Sequence, residues 1–105
     1  MAEIVLVLTT VPDDERSHTI ARLLVEERLA ACVNVHGSMS STYRWKNKVE
    51  RDAERQLVIK TTRDRLPDLE KRLKALHTYE LPEFLVLSIE TGSEAYLDWV
   101  AGEAS

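Results

Sequence analysis

The sequence predicts an α+β domain, a ferredoxin-like βαββαβ sandwich with a long β-hairpin and a short C-terminal helix. Three observations lead to this fold class. Apolar strand-like runs and amphipathic helical stretches follow one another in that order. Residues 41–62 carry no helical stripe but hold a tight-turn signal near their middle, as a hairpin does. The strand runs at 3–9, 57–59 and 84–87 are apolar without alternation, so one sheet needs cover on both faces.

The first strand spans Glu3–Thr9, a run of Ile, Val and Leu. Pro12 breaks it, and Asp13, Asp14 and Glu15 suit the positive end of a helix. Ile20, Leu23 and Leu24 form that helix's core stripe, widened by Ala21, Val25 and Leu29, and the helix is expected to end near Leu29. AACVNV is the second strand, closed by His36 and Gly37. The hairpin runs from Ser41 to Thr62 and turns at Lys46-Asn47-Lys48, because Asn accepts a left-handed backbone. Pro67 fits only a first helical turn, which starts the second helix near Asp64, with Leu66, Leu69, Leu73 and Leu76 at helical spacing. Phe84–Glu90 is the last main strand. Gly92-Ser93 then leads into a helix carrying Tyr96, Leu97, Trp99 and Val100.

With 105 residues, 44% of them apolar, the chain is expected to be one domain covering 1–105, and no repeat or linker divides it. The net charge of -4 disfavours both a nucleic-acid backbone and an anionic membrane surface. The apolar run after MAE is too short and too poor in basic residues for a signal peptide, and no stretch reaches membrane-span length. A single cysteine, Cys32, suits a reducing compartment, so a cytoplasmic location is expected. Two helices cover one face of the sheet, and no spare segment remains for the other. A second copy of the chain is the expected cover.

Individual residues carry less. Cys32, Asn34 and His36 share one side of a strand, but about 13 Å of strand separates Cys32 from His36, too far for one ion. Cys32 therefore reads as an inert buried thiol. The three histidines show no HxH or HxxxH spacing, and His77 reads first as a cationic cap at a helix end. Tyr43 and Trp45 alternate on one hairpin face and suit stacking across a subunit interface; the glycine-rich signature of RNA-stacking domains is missing. Glu50, Arg51, Asp52, Glu54 and Arg55 read as exposed, mixed-sign ion pairs. No GxSxG or glycine-rich phosphate loop is present, TTVPDDE would repel phosphate, and Glu80 and Glu83 read as solvated turn residues. No enzyme is expected.

Taken together, EERLAACVNV, STYRW, IKTT, HTYELPE and YLDW, in this order, resemble the CutA family of divalent-cation-tolerance proteins over nearly the whole chain. The resemblance implies a ferredoxin-like subunit in a tight homotrimer with the sheets facing inward. It also implies a design similar to the nitrogen-regulatory P-II signal proteins, which bind small effectors between subunits. Carried onto this sequence, it implies a weakly held divalent metal ion, copper among the candidates, at His77 and Cys32. It further implies a ligand cleft at Lys60, Tyr79, Glu83 and Asn34, and an interface at Tyr43 and Trp45. Thr9 stands where some members have a cysteine, and Leu76 where some have a second histidine, so His77 is left as a lone imidazole. Asn47 replaces the usual glycine. A small effector, or a protein partner held through the hairpin tip, is the other function implied.

Overall fold

The computed structural model describes residues 2–105. Its strands are β1 (Ile4–Pro12), β2 (Cys32–Val35), β3 (Met39–Trp45), β4 (Lys48–Thr62) and β5 (Leu85–Ser88). Its α-helices are α1 (Arg16–Glu26), α2 (Leu66–Leu76) and α3 (Glu94–Glu103). The strands form one antiparallel sheet in the order β2-β4-β1-β5, with β3 extending along the far part of β4. This is the expected fold class. None of these helices is long and apolar enough to cross a membrane.

Strand alternation divides β1 between two environments. Val5, Val7, Thr9 and Val11 are fully buried, and Val7 and Val11 pack with Ile20, Leu24, Leu57, Ile59, Leu69 and Leu73 beneath α1 and α2. Leu6, Leu8 and Thr10 face the opposite way and are half-buried. On that opposite face, Val58 lies beside Leu8 on β4, and Leu85 and Leu87 flank Leu8 and Leu6 on β5. Helix α3 covers only the end of this face near Ile4 and Ala31, through Val100 and Ala104. Leu85 and Leu87 stay 54% and 46% exposed, so within one chain the second face of the sheet lacks its cover.

β2 and β3 are one strand with a single interruption. His36 N–H still donates to the Gln56 carbonyl, but Met39 pairs with Glu54, so residues 37 and 38 together oppose Arg55. This bulge shifts the parity of the strand. Cys32 and Asn34 of β2 thereby share the open face with Ser41, Tyr43 and Trp45 of β3. The hairpin closes on the pair Trp45–Lys48, with Lys46 at φ 49° and Asn47 at φ 67°, both left-handed as a two-residue type I′ turn requires.

Several boundaries differ from expectation. β1 runs on to Pro12 instead of being broken before it, because Thr10, Val11 and Pro12 still pair with Gln56, Arg55 and Glu54 of β4. Helix α1 stops at Glu26 rather than near Leu29, because Arg28 turns left-handed at φ 59° and the Leu29 and Ala30 N–H groups fold back to the Leu24 carbonyl. Leu29 still reaches the core, from the turn. The unusual backbone of Arg28 is held by its side chain: Nε donates to the Ser105 carbonyl at 2.6 Å and Nη2 to the Gly102 carbonyl at 3.0 Å, at the negative end of α3. β5 covers only Leu85–Ser88 because it pairs with just Val5–Leu8 of β1; Phe84 packs on the core from outside the strand.

Thr9 Oγ1 is buried among these apolar side chains without a hydrogen-bond partner. A hydroxyl stranded in this way costs free energy that a methyl group does not. Thr9→Val is therefore expected to stabilise the fold by about 1 kcal/mol in urea denaturation. Destabilisation instead would mean that the hydroxyl is satisfied in solution.

Candidate functional site

The segment after α2 is built by backbone restraint. Pro82 holds Leu81 extended, and His77 leaves the helix in an extended conformation at φ -80°, ψ 146°. The His77 ring is tied at both nitrogens. Nε2 lies 2.7 Å from the Thr10 carbonyl, which can only accept, and Nδ1 lies 3.2 Å from the Tyr79 N–H, which can only donate. The ring is thus the neutral Nε2–H tautomer. It is a brace between β1 and the turn, in place of the cationic helix cap expected from sequence. Its plane leans on the Tyr79 ring with centroids 4.5 Å apart, which aims the Tyr79 side chain.

Tyr79 points into a cleft of about 910 Å³ between the β3–β4 hairpin and residues 78–85. Ser41, Tyr43 and Trp45 form one wall, Thr10, Asp52 and Glu54 the floor, and Tyr79, Glu80, Glu83 and Phe84 the other wall. Among the described residues four carboxylates line it, whereas no lysine, arginine or histidine does. The carboxylates have separate neighbours. Asp52 accepts from the Tyr43 hydroxyl, which together with burial pushes that phenol up to about 12. Burial, and then the facing Glu54 carboxylate, push the Tyr79 phenol well above its ordinary range. Glu83 accepts from Gln56 Nε2 at 3.1 Å, and the same amide donates to the Thr9 carbonyl at 2.8 Å. Glu80 pairs with Lys46 at 3.8 Å at the exposed mouth.

Tyr79 and Glu83, two of the four cleft residues named from the resemblance, meet here, and so do Tyr43 and Trp45. Lys60 and Asn34 do not. Lys60 pairs with Cys32 and Asn34 with Val58, so Lys60 lies four residues along β4 from Gln56, about 13 Å of strand. Lys60 instead donates to the Tyr96 hydroxyl at 3.2 Å with its ammonium 5.6 Å above that ring, and Asn34 Nδ2 lies 3.9 Å from Cys32 Sγ. The same register separates Cys32 from His77, which sits against Thr10 opposite Gln56, so one chain does not bring them to a common ion. Among the described residues no three His, Cys, Asp or Glu side chains converge as a metal cage.

Sequence reasoning missed Asp52, Glu54 and Gln56. Glu54 is only 7% exposed, not one of a set of solvated ion pairs, and Arg55 turns to the other face to meet Asp13 at 2.7 Å. The available signal was the i, i+2 spacing of 52, 54 and 56 within a strand, which puts all three on the face of Tyr43 and Trp45.

Comparison with known proteins agrees with this architecture. The family model of the CutA1 divalent ion tolerance protein matches residues 5–103. A divalent-cation tolerance protein CutA of Thermus thermophilus is 50% identical over 100 residues, 95% of each chain. A chloroplastic CutA of Arabidopsis thaliana is 41% identical over 91% of this chain, which spans 53% of that longer protein. The solved structure of the Thermus thermophilus protein superposes with a TM-score of 0.94 at 47% identity, over 97% of this chain and 99% of that one. A structure titled as a periplasmic divalent cation tolerance protein from Archaeoglobus fulgidus gives 0.93 at 30% identity, over 97% of this chain and 99% of that one. The sheet order, the bulged hairpin and the matched span lead to one conclusion: the chain belongs to the CutA1 divalent ion tolerance protein family.

Proposed function

We propose that this protein is a homotrimeric divalent-cation-tolerance protein that binds divalent cations, copper among them, weakly and without catalysing a reaction. The observation that supports cation binding is the cleft itself, lined among the described residues by four carboxylates and by no lysine, arginine or histidine. Weakness follows from the donors. Soft copper prefers several thiolates or imidazoles, and here Cys32 and His77 are single and separate. A metal at His77 would have to displace one of the two hydrogen bonds on its ring. The trimer is supported by the family resemblance and by the uncovered apolar face around Leu6, Leu8, Leu85 and Leu87. The unpaired Cys32 favours a reducing, cytoplasmic compartment, although relatives carry chloroplastic and periplasmic names. A P-II-like reading, with a small effector in the cleft, is favoured by a volume far larger than one ion needs.

Calorimetric titration with Cu(II), with the mass measured by light scattering, tests the proposal. The expected result is a trimer mass and weak, saturable binding that falls several-fold in Glu83→Gln, on the cleft wall, and in His77→Ala, whose ring braces the cleft residue Tyr79. Copper binding that ignores the His77 substitution removes His77 from the site. A monomer mass removes the assembly.

A further inference from the structure

The sequence of helix α3 caps it at one end only. At its start Ser93 Oγ accepts from the Tyr96 N–H at 3.2 Å. Its last turn holds no basic residue and ends on Ala104, at φ -93° and ψ 26°, without the left-handed glycine that closes many helices. The final carbonyls of a helix have no partner within it. The Arg28 guanidinium supplies one from the end of α1: Nε donates to the Ser105 carbonyl and Nη2 to the Gly102 carbonyl, which also accepts from the Ser105 hydroxyl at 2.9 Å. Glu103 lies 4.0 Å from the same Nη2, an exposed pair that adds little.

Position 28 is an unfavourable place for an arginine. It is the left-handed residue that closes α1, at φ 59°, where glycine or asparagine is the usual choice. Glycine would serve the backbone of α1 better, so the side chain answers to another element. That element is weakly held. α3 rests on a small cluster of its own, Val100 and Ala104 against Ile4 and Ala31, apart from the main core beneath α1 and α2. Residues 89–93, which lead into it, form no regular structure. Among the described residues only one other hydrogen bond joins α3 to a strand or helix, from Lys60 Nζ to the Tyr96 hydroxyl near its first turn.

We propose that α3 is a strap that opens independently of the rest of the fold, and that Arg28 is the latch that holds its last turn shut. An element with few buried apolar contacts opens at a lower free energy than the core does. Opening uncovers Ile4 and Ala31 and releases Lys60 from Tyr96, at one end of the sheet face that lacks cover within the chain. Arg28 is a positioning residue, acting on that face through α3, and its role is independent of what the cleft binds.

Amide hydrogen exchange of the intact protein, read residue by residue by nuclear magnetic resonance, is the test. In the parent, the amides of Val100 to Ala104 should exchange faster than those of Leu57 and Ile59 in β4. Arg28→Gly is the deciding variant, because it relaxes the left-handed backbone of α1 while removing the guanidinium. The expected result is exchange about tenfold faster at Val100 to Ala104, from the loss of two charge-assisted hydrogen bonds, with Leu57 and Ile59 unchanged or slower. Arg28→Lys keeps the charge but lacks the planar fork that reaches both carbonyls, and its rates should fall between the two. If Arg28→Gly does not fold, Arg28→Lys carries the same comparison. Unchanged exchange across α3 in the variants would overturn the latch. Equal rates for α3 and β4 in the parent, or equal acceleration of both in the variants, would overturn the strap, since α3 would then open only with the whole fold.

Discussion

Leu87→Glu is expected to break the assembly while leaving the subunit folded. Leu87 is 46% exposed on the edge strand β5, beside Leu6, so a single subunit can keep a glutamate there in water. In a closed trimer the same position is repeated three times and desolvated each time. A buried carboxylate without a partner costs roughly 3–5 kcal/mol, more than two factors of ten in each interface. Light scattering should report the monomer mass, while far-ultraviolet circular dichroism stays that of the parent. Val25→Glu is the control: Val25 is 40% exposed on α1, on the helix-covered side, and its variant should keep the parent mass. An unchanged mass for Leu87→Glu would show that copies do not meet through this face.

Much of the fold was legible because its punctuation is local. Pro67 marks the first turn of α2, and Asn47 marks the hairpin turn with a backbone preference that needs no tertiary support, whereas Pro12 proves to be the last residue of β1. The uncovered face was legible too, since an unalternating strand in a sheet with helices on one side leaves apolar residues over. The end of α1 was not. Its apolar stripe runs on to Leu29, and the left-handed residue that stops it is an arginine, a choice that makes sense only once its guanidinium is seen on Gly102, in the last turn of α3, and on Ser105 just past it. No local signal records a contact across more than seventy residues.

The candidate site was half legible for a related reason. The turn after α2 announces itself through His77, Tyr79, Pro82 and Glu83. Its counterpart, the 52–56 stretch, is so rich in charge that it reads as solvent-facing. Register overrides that reading. It sets Glu54 opposite Pro12 and beneath Tyr79, and places Lys60 with Cys32, away from the cleft. Motif positions say which residues a family shares. Pairing says which of them meet, and an extra residue in a bulge, as at Gly37-Ser38, changes that answer for every residue beyond it.

Leu57→Ala should give the largest loss of intrinsic subunit stability. Leu57 is fully buried at the middle of β4, between Thr9 of β1 and Val35 of β2, under both long helices. The sheet on either side is hydrogen-bonded and cannot close around a missing side chain, so the removed methyl groups leave a cavity rather than a collapsed core. Such substitutions cost about 3–4 kcal/mol, a large share of the roughly 5–15 kcal/mol that holds a domain of this size. In the proposed trimer, assembly offsets the loss by mass action, since copies bind the folded subunit and not the unfolded chain. The denaturation midpoint should therefore fall moderately in the parent background and rise with protein concentration. Combined with Leu87→Glu, the same change should leave a chain largely unfolded at room temperature, with no dependence on concentration. A double variant that stays folded, or a single variant that loses under about 1 kcal/mol, would mean that β4 is not the rigid centre of the core.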